Sequence, residues 1–204
     1  MIQMLDVSAH NAPVNWAAVK LAGFTVAIVK ASEGVSFRDS QVAAHCAGAR
    51  AAGLWIGTYH YLRVRHGKPQ DARQQMREYS DIWREQACAL RPIIDVESGG
   101  NGQCTPDEWA QAVVDAVGEL EAQTDASPII YTSPGEWLGA HLGGLTALRR
   151  CPLWLASYGN AAHAPAPWST FAAWQYTGSG TIAGAGPFDL SRAADLAPLL
   201  MPDV

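Results

Sequence analysis

Phe24-Thr25-Val26-Ala27-Ile28-Val29-Lys30-Ala31-Ser32-Glu33-Gly34 is an apolar, β-branched run that ends abruptly in charged and small residues. Such a run has no strict apolar/polar alternation, so it suits a strand covered on both faces, as in a parallel sheet. Working outward, the same style recurs upstream at residues 2–8 and downstream at 54–61, 91–97 and 128–132. Helical patterns lie between these runs. Residues 39–52 put Val42, Cys46 and Ala49 on one side, and Gly53 follows as a helix-ending glycine. Ala72, Met76, Tyr79 and Trp83 share one helical face. Thr105-Pro106-Asp107-Glu108 has the form of a capping box with proline at the first helical position, and Trp109, Ala112, Val113, Ala116, Val117 and Leu120 line the face behind it.

After about residue 150 the style changes. Residues 152–158, 171–177 and 188–191 read as short strands, and the spacers between them are too short or too rich in Gly and Pro for full helices. Five βα units followed by three strands predict an α/β fold, an irregular (β/α)5(β)3 TIM-like barrel, with residues 1–204 forming one catalytic domain.

Composition narrows the function. With 49% hydrophobic and 16% charged residues in 204, the chain can bury a full core. The net charge is −5, and Arg63, Arg65, His66 and Lys68 form the one short basic cluster, so nucleic acid is not an expected partner. No run of 18 apolar residues predicts membrane insertion. No His/Cys/Asp spacing suits a metal, and neither a P-loop nor a Gly-x-Ser-x-Gly elbow is present, so no metal and no cofactor is expected. Cys46, Cys88, Cys104 and Cys151 are expected to stay thiols.

In a barrel of this class the working residues stand at the C-terminal ends of the strands. Those ends carry Asp6, then Glu33, then Tyr59-His60-Tyr61, then Asp95-Val96-Glu97, then Tyr131, with Trp154, Tyr158, Trp174, Gln175 and Asp189 on the later strands. Asp95 and Glu97 are the sharpest pair. Residues i and i+2 of a strand share a face, roughly 6–7 Å apart. Two carboxyls so placed repel, and one holds its proton to higher pH, as glycosidic bond cleavage requires. Glu33 has a plainer reading as a partner for Lys30, and His60 as a satisfied core histidine. The aromatic rings suit a sugar-binding cleft, although core filling accounts for Trp16, Trp83 and Trp109.

Taken in order, these blocks resemble glycoside hydrolase family 25, the Chalaropsis-type lysozymes. The likeness runs from Asp6-Val7-Ser8 and Trp16 through Val29–Gly34, Gly53-Leu54, Gly57–Tyr61, Asp95-Val96-Glu97 and Leu153–Tyr158 to Trp174-Gln175-Tyr176 and Phe188-Asp189-Leu190. It implies cleavage of the β-1,4 bond between N-acetylmuramic acid and N-acetylglucosamine in bacterial peptidoglycan. It also implies Glu97 as general acid/base, Asp95 and Asp6 as catalytic partners, and Asp189 as a substrate-side carboxylate. The family's usual Val-Asp-Leu-Asn stands here as Phe188-Asp189-Leu190-Ser191. Either Asp95 attacks the anomeric carbon, or the substrate's own acetamido group does with Asp95 assisting. The second plan is preferred, and an inverting water attack is a third.

Two other classes compete. A chitinase-like glycosidase would carry a longer acidic run, where this chain has Ile93, and a non-catalytic peptidoglycan-binding barrel would normally lose one of Asp6, Asp95 and Glu97. The expected setting is a monomeric phage endolysin, made in the host cytoplasm without a Sec leader and released to the wall by a holin. A secreted effector is the alternative.

Overall fold

The computed structural model describes residues 1–159 and 161–202. Eight strands close into a barrel: β1 (Ile2–Val7), β2 (Phe24–Glu33), β4 (Trp55–Tyr61), β5 (Ile93–Asp95), β6 (Ile129–Thr132), β7 (Leu153–Ala156), β8 (Ala173–Ile182) and β9 (Ala185–Ala193), with β9 pairing back onto β1. A two-residue strand, β3 (Phe37–Arg38), adds to the end of β2 at the rim. Neighbours from β1 through to β8 run parallel, while β9 is antiparallel to both β8 and β1.

Helices α1 (Trp16–Leu21), α2 (Val42–Ala51), α3 (Asp71–Glu85), α4 (Pro106–Thr124) and α5 (Pro134–Gly139) each follow one of the first five barrel strands. The five-plus-three plan is therefore the one observed. Among the described residues no helix is long and apolar enough to cross a membrane.

Two boundaries differ from expectation. The second helix begins at Val42 rather than at residue 39, because the buried Asp39 carboxylate accepts from Ala9 N (3.0 Å) and Gln41 N (2.8 Å) instead of joining the helix. The glycine-rich stretch around residues 178–186 is strand rather than spacer. β8 and β9 form a long hairpin whose two-residue turn, Ala183 and Gly184, has positive φ at both positions (51° and 80°). Glycine is needed within it at Gly180, where a Cβ would overlap the Leu190 side chain.

Alternation along each strand splits the core into two layers. Outward residues such as Leu5, Val7, Ala27, Val29, Ile94 and Leu155 pack against the helices. Inward residues Met4, Val26, Ile28, Ile93 and Ile129 fill the lower barrel, and Leu90 and Leu199 close its base. The C-terminal segment is pinned there by Arg91 N to Leu199 O (2.9 Å) and Met201 N to Ala89 O (3.0 Å).

Candidate active site

Toward the C-terminal ends of the parallel strands, the inward positions turn from apolar to polar. On β1 Met4 gives way to Asp6, on β2 Ile28 to Lys30, on β5 Ile93 to Asp95, and on β6 Ile129 to Tyr131. The result is an open cavity of about 300 Å3 whose wall includes Asp6, Asp95, Glu97 and Asp189, with Tyr59, Tyr61, Tyr131, Trp154 and Tyr158 around them. These nine residues are the larger part of the set singled out by sequence. Glu97 lies just past the end of β5, yet keeps the inward parity of Asp95. Asp189 arrives differently: β9 runs backwards, and its middle residue meets the rim directly opposite Asp6 in the β1–β9 register.

Four expected site residues lie elsewhere, two of them through strand parity. His60 alternates with Tyr59 and Tyr61, so it points out of the barrel. It is fully buried, bonded to Ser32 Oγ (2.8 Å) and Gln75 Oε1 (2.9 Å). Burial lowers its pKa to about 4, so it is neutral and held in the core. Trp174 likewise faces outward, with Arg192 over its ring (4.3 Å) and its indole N–H donated to Ser157 O (2.6 Å). Glu33 is a rim residue that binds Lys30 Nζ (2.5 Å) and Arg63 Nε (2.9 Å) rather than facing the cavity.

Gln175 has the inward parity but is covered, at 2% exposure. Its Oε1 accepts from Tyr131 and Tyr158 hydroxyls (2.9 Å each) and its Nε2 donates to Asp6 Oδ2 (3.0 Å). It is the support behind three cavity residues rather than a cavity residue itself. Ser191, where the resembling family carries asparagine, accepts from Trp154 Nε1 (3.0 Å) and so fixes that ring.

The sequence reading missed Ser8, His10 and Lys30, all of which line the cavity. Parity could have found two of them, since Ser8 follows Asp6 and Lys30 follows Ile28 at a spacing of two. Lys30 also lies over the Tyr61 ring (5.3 Å).

Four carboxyls share this space, with Lys30 as the cation among the cavity's lining residues. Burial raises the proton affinity of all four. Asp6 is pushed well up by burial, then by the neighbouring charge of Asp189, and burial also raises Asp189. Asp95 is pushed well up by burial, then by Glu97 and Asp6. Glu97 is raised by burial, then by Glu136 and Asp189. Asp95 Oδ1 is buried and has no hydrogen-bond partner among the described residues, an unmet acceptor in the cavity wall. Such a cluster can hold protons to higher pH than ordinary carboxyls and pass them between its members, and its titration belongs to the group rather than to one residue.

Comparison with known proteins gives consistent matches. The sequence profile of Glycosyl hydrolases family 25 matches residues 5–185. The chain is 27% identical over 190 residues to lysozyme M1 of Streptomyces globisporus, covering 90% of this chain and 64% of that protein's length. It is 25% identical over 199 residues to an N,O-diacetylmuramidase of Chalaropsis sp, covering 92% of this chain and 93% of that one. Among solved structures, a family GH25 lysozyme from Aspergillus fumigatus superposes with a TM-score of 0.81 at 26% identity, over 95% of this chain and 94% of that chain.

Proposed function

This chain belongs to glycosyl hydrolases family 25, and we propose that it hydrolyses bacterial peptidoglycan at the β-1,4 bond between N-acetylmuramic acid and N-acetylglucosamine, with Glu97 as general acid and base. The observation that carries the reading is the joining of Glu97, Asp95, Asp6 and Asp189 in one aromatic-walled cavity at the barrel mouth. The names of its Streptomyces and Chalaropsis relatives, a lysozyme and a diacetylmuramidase, support the same bond class.

The proposed chemistry is substrate-assisted. Glu97 gives its proton to the glycosidic oxygen while the acetamido carbonyl oxygen of the muramic acid closes onto its own anomeric carbon. The leaving sugar departs as an alcohol. Water then opens the cyclic intermediate, with Glu97 taking the proton back and the original anomeric configuration restored.

Asp95 is suited to the assisting role by its unpartnered oxygen, which lacks the donor that an acetamido N–H would supply. Before substrate binds, burial and neighbouring negative charge favour the protonated form of Asp95. Arrival of an N–H donor favours its ionised form, and the cluster's proton then rests on Glu97. The retained stereochemistry is common to this plan and to direct attack by Asp95. A minimal fragment lacking the acetamido group separates them, because only direct attack would still turn it over.

The decisive experiment compares wild type with Glu97→Gln on purified peptidoglycan, reading released fragments by mass spectrometry. Wild type should release fragments with reducing-end muramic acid, and the variant should keep its fold and lose at least ~10²-fold in rate. Reducing-end glucosamine would move the cleavage to the other glycosidic bond. Wall binding without release would make the protein a binding module instead.

A further inference from the structure

Ser133-Pro134-Gly135-Glu136 opens α5 as Thr105-Pro106-Asp107-Glu108 opens α4: a hydroxyl residue at the cap, proline next, glutamate three places on. The two helices use the same motif differently. At α4 the box closes, with Thr105 N donating to Glu108 Oε2 (2.8 Å) and Glu108 N to Thr105 Oγ1 (3.3 Å). At α5 only half of it forms. Glu136 N donates to Ser133 Oγ (3.2 Å), but the Glu136 carboxylate leaves its own helix and accepts from Ser98 N at 2.7 Å.

Ser98 N belongs to the peptide unit that joins it to Glu97. The carbonyl of that same unit, Glu97 O, accepts from Asn101 Nδ2 at 2.7 Å. The peptide plane directly behind Glu97 is thus gripped at both ends, by Asn101 on its oxygen and by Glu136 on its nitrogen. Glu136 and Glu97 also line one cavity of about 360 Å3, which adjoins the central cleft through Tyr131 and Tyr158. Glu136 does not line the central cleft itself, so a sugar filling that cleft leaves it in place. Among the described residues it takes part in no ion pair.

We propose that Glu136 is a positioning residue for Glu97: its carboxylate clamps the peptide behind the catalytic acid and sets a negative charge beside it. This rests on the reading of Glu97 as the general acid. The other titratable groups of the cleft around Glu97 are Asp95 on β5, Asp6 on β1, Asp189 on β9, Lys30 on β2, Tyr59 and Tyr61 on β4, Tyr131 on β6, and His10 and Tyr158 in the segments after β1 and β7. After burial, the largest influence holding the Glu97 proton is the Glu136 charge, ahead of Asp189.

Two substitutions separate clamp from charge. Glu136→Gln keeps an oxygen for Ser98 N and loses the charge, whereas Glu136→Ala loses both. The readouts are kcat and KM against pH on solubilised peptidoglycan, and the titration midpoint of the Glu97 carboxyl carbon by 13C NMR. In Glu136→Gln the basic limb of the profile and the Glu97 midpoint should both move down by ~0.5–1 pH unit, the effect of removing one charge several ångströms away. Glu136→Ala should show the same shift, with kcat at its optimum lower than that of the glutamine variant by a further ~10-fold.

A glutamine variant that titrates like wild type overturns the charge claim. An alanine variant that matches the glutamine variant overturns the clamp. Should Glu97→Gln prove fully active, the acid reading fails, yet the NMR midpoint still measures what Glu136 does to Glu97. A purely structural Glu136 would leave that midpoint unmoved.

Discussion

Asp6 is buried beside Asp189 and pays for its place in the cleft with an ionisation that the fold opposes. Its folded-state pKa stands well above the ordinary value of 3.8. The native state therefore binds more protons than the unfolded chain at pH values between the two, and stability falls as pH rises through that window. Asn in this position would mimic the protonated form, offering an oxygen to Gln175 Nε2 and an N–H to Asp189. Asp6→Asn is expected to raise stability at pH 7.5 by about 1 kcal/mol. The gain should vanish below about pH 4, where Asp6 is protonated in both states, and activity should fall. Calorimetry at the two pH values checks it, and a variant less stable than wild type at pH 7.5 refutes it. At this scale Asp6, Asp95 and Glu97 were legible, because each closes an apolar run, whereas Asp189 stands inside its strand. Trp174 was misplaced, and His60 left between a site role and a core role, because type and position were weighed without parity, although Tyr59-His60-Tyr61 and Trp174-Gln175 state the alternation outright. The part played by Gln175 was out of reach: two tyrosines and Asp6 converge on it from strands far away in sequence.

Tyr79 on α3 sets the spacing of two strands that carry cleft residues. Its hydroxyl donates to Thr58 O on β4 (2.5 Å) and accepts from Ile93 N on β5 (2.9 Å). Tyr79→Phe keeps the ring and strands the Ile93 N–H in a dry core. The expected cost is about 1–3 kcal/mol, read as a lower denaturant midpoint with an unchanged slope; an unchanged midpoint would mean the bond carries no net weight. The longer helices, α2 to α4, were the most legible elements. The face of α4 from Trp109 to Leu120 is buried as its periodicity implied, and the Thr105–Glu108 box closes. The β8–β9 hairpin was the least legible. Gly178, Gly180, Gly184 and Gly186 suggest a connector, yet Gly180 is there to admit Leu190, and Gly184 to make the turn. Local composition could not reveal either need, since both arise from pairing with β9.

Across the whole molecule, the helix–barrel layer encloses Cys46 and Cys151 completely, at 0% and 1% exposure. Burial raises both thiols to about 12. Cys104, at the edge of a surface cavity near α4, is only partly covered. An aromatic disulfide reagent at pH 8 should therefore label Cys104 first, and Cys46 and Cys151 only at the rate of global unfolding. Rapid labelling of Cys46 in the native protein would show that the α2 face opens locally. The five-plus-three plan was readable because it depends on the order of elements alone. The reversal of β9 was not, because a short strand carries no mark of its direction. That reversal has a further consequence. Asp6 and Asp189 face each other from opposite ends of the chain, so a polypeptide still leaving the ribosome holds Asp6, Asp95 and Glu97 long before it holds their fourth partner. The cleft is completed by the same event that seals the barrel, and a chain cut short before β9 has neither.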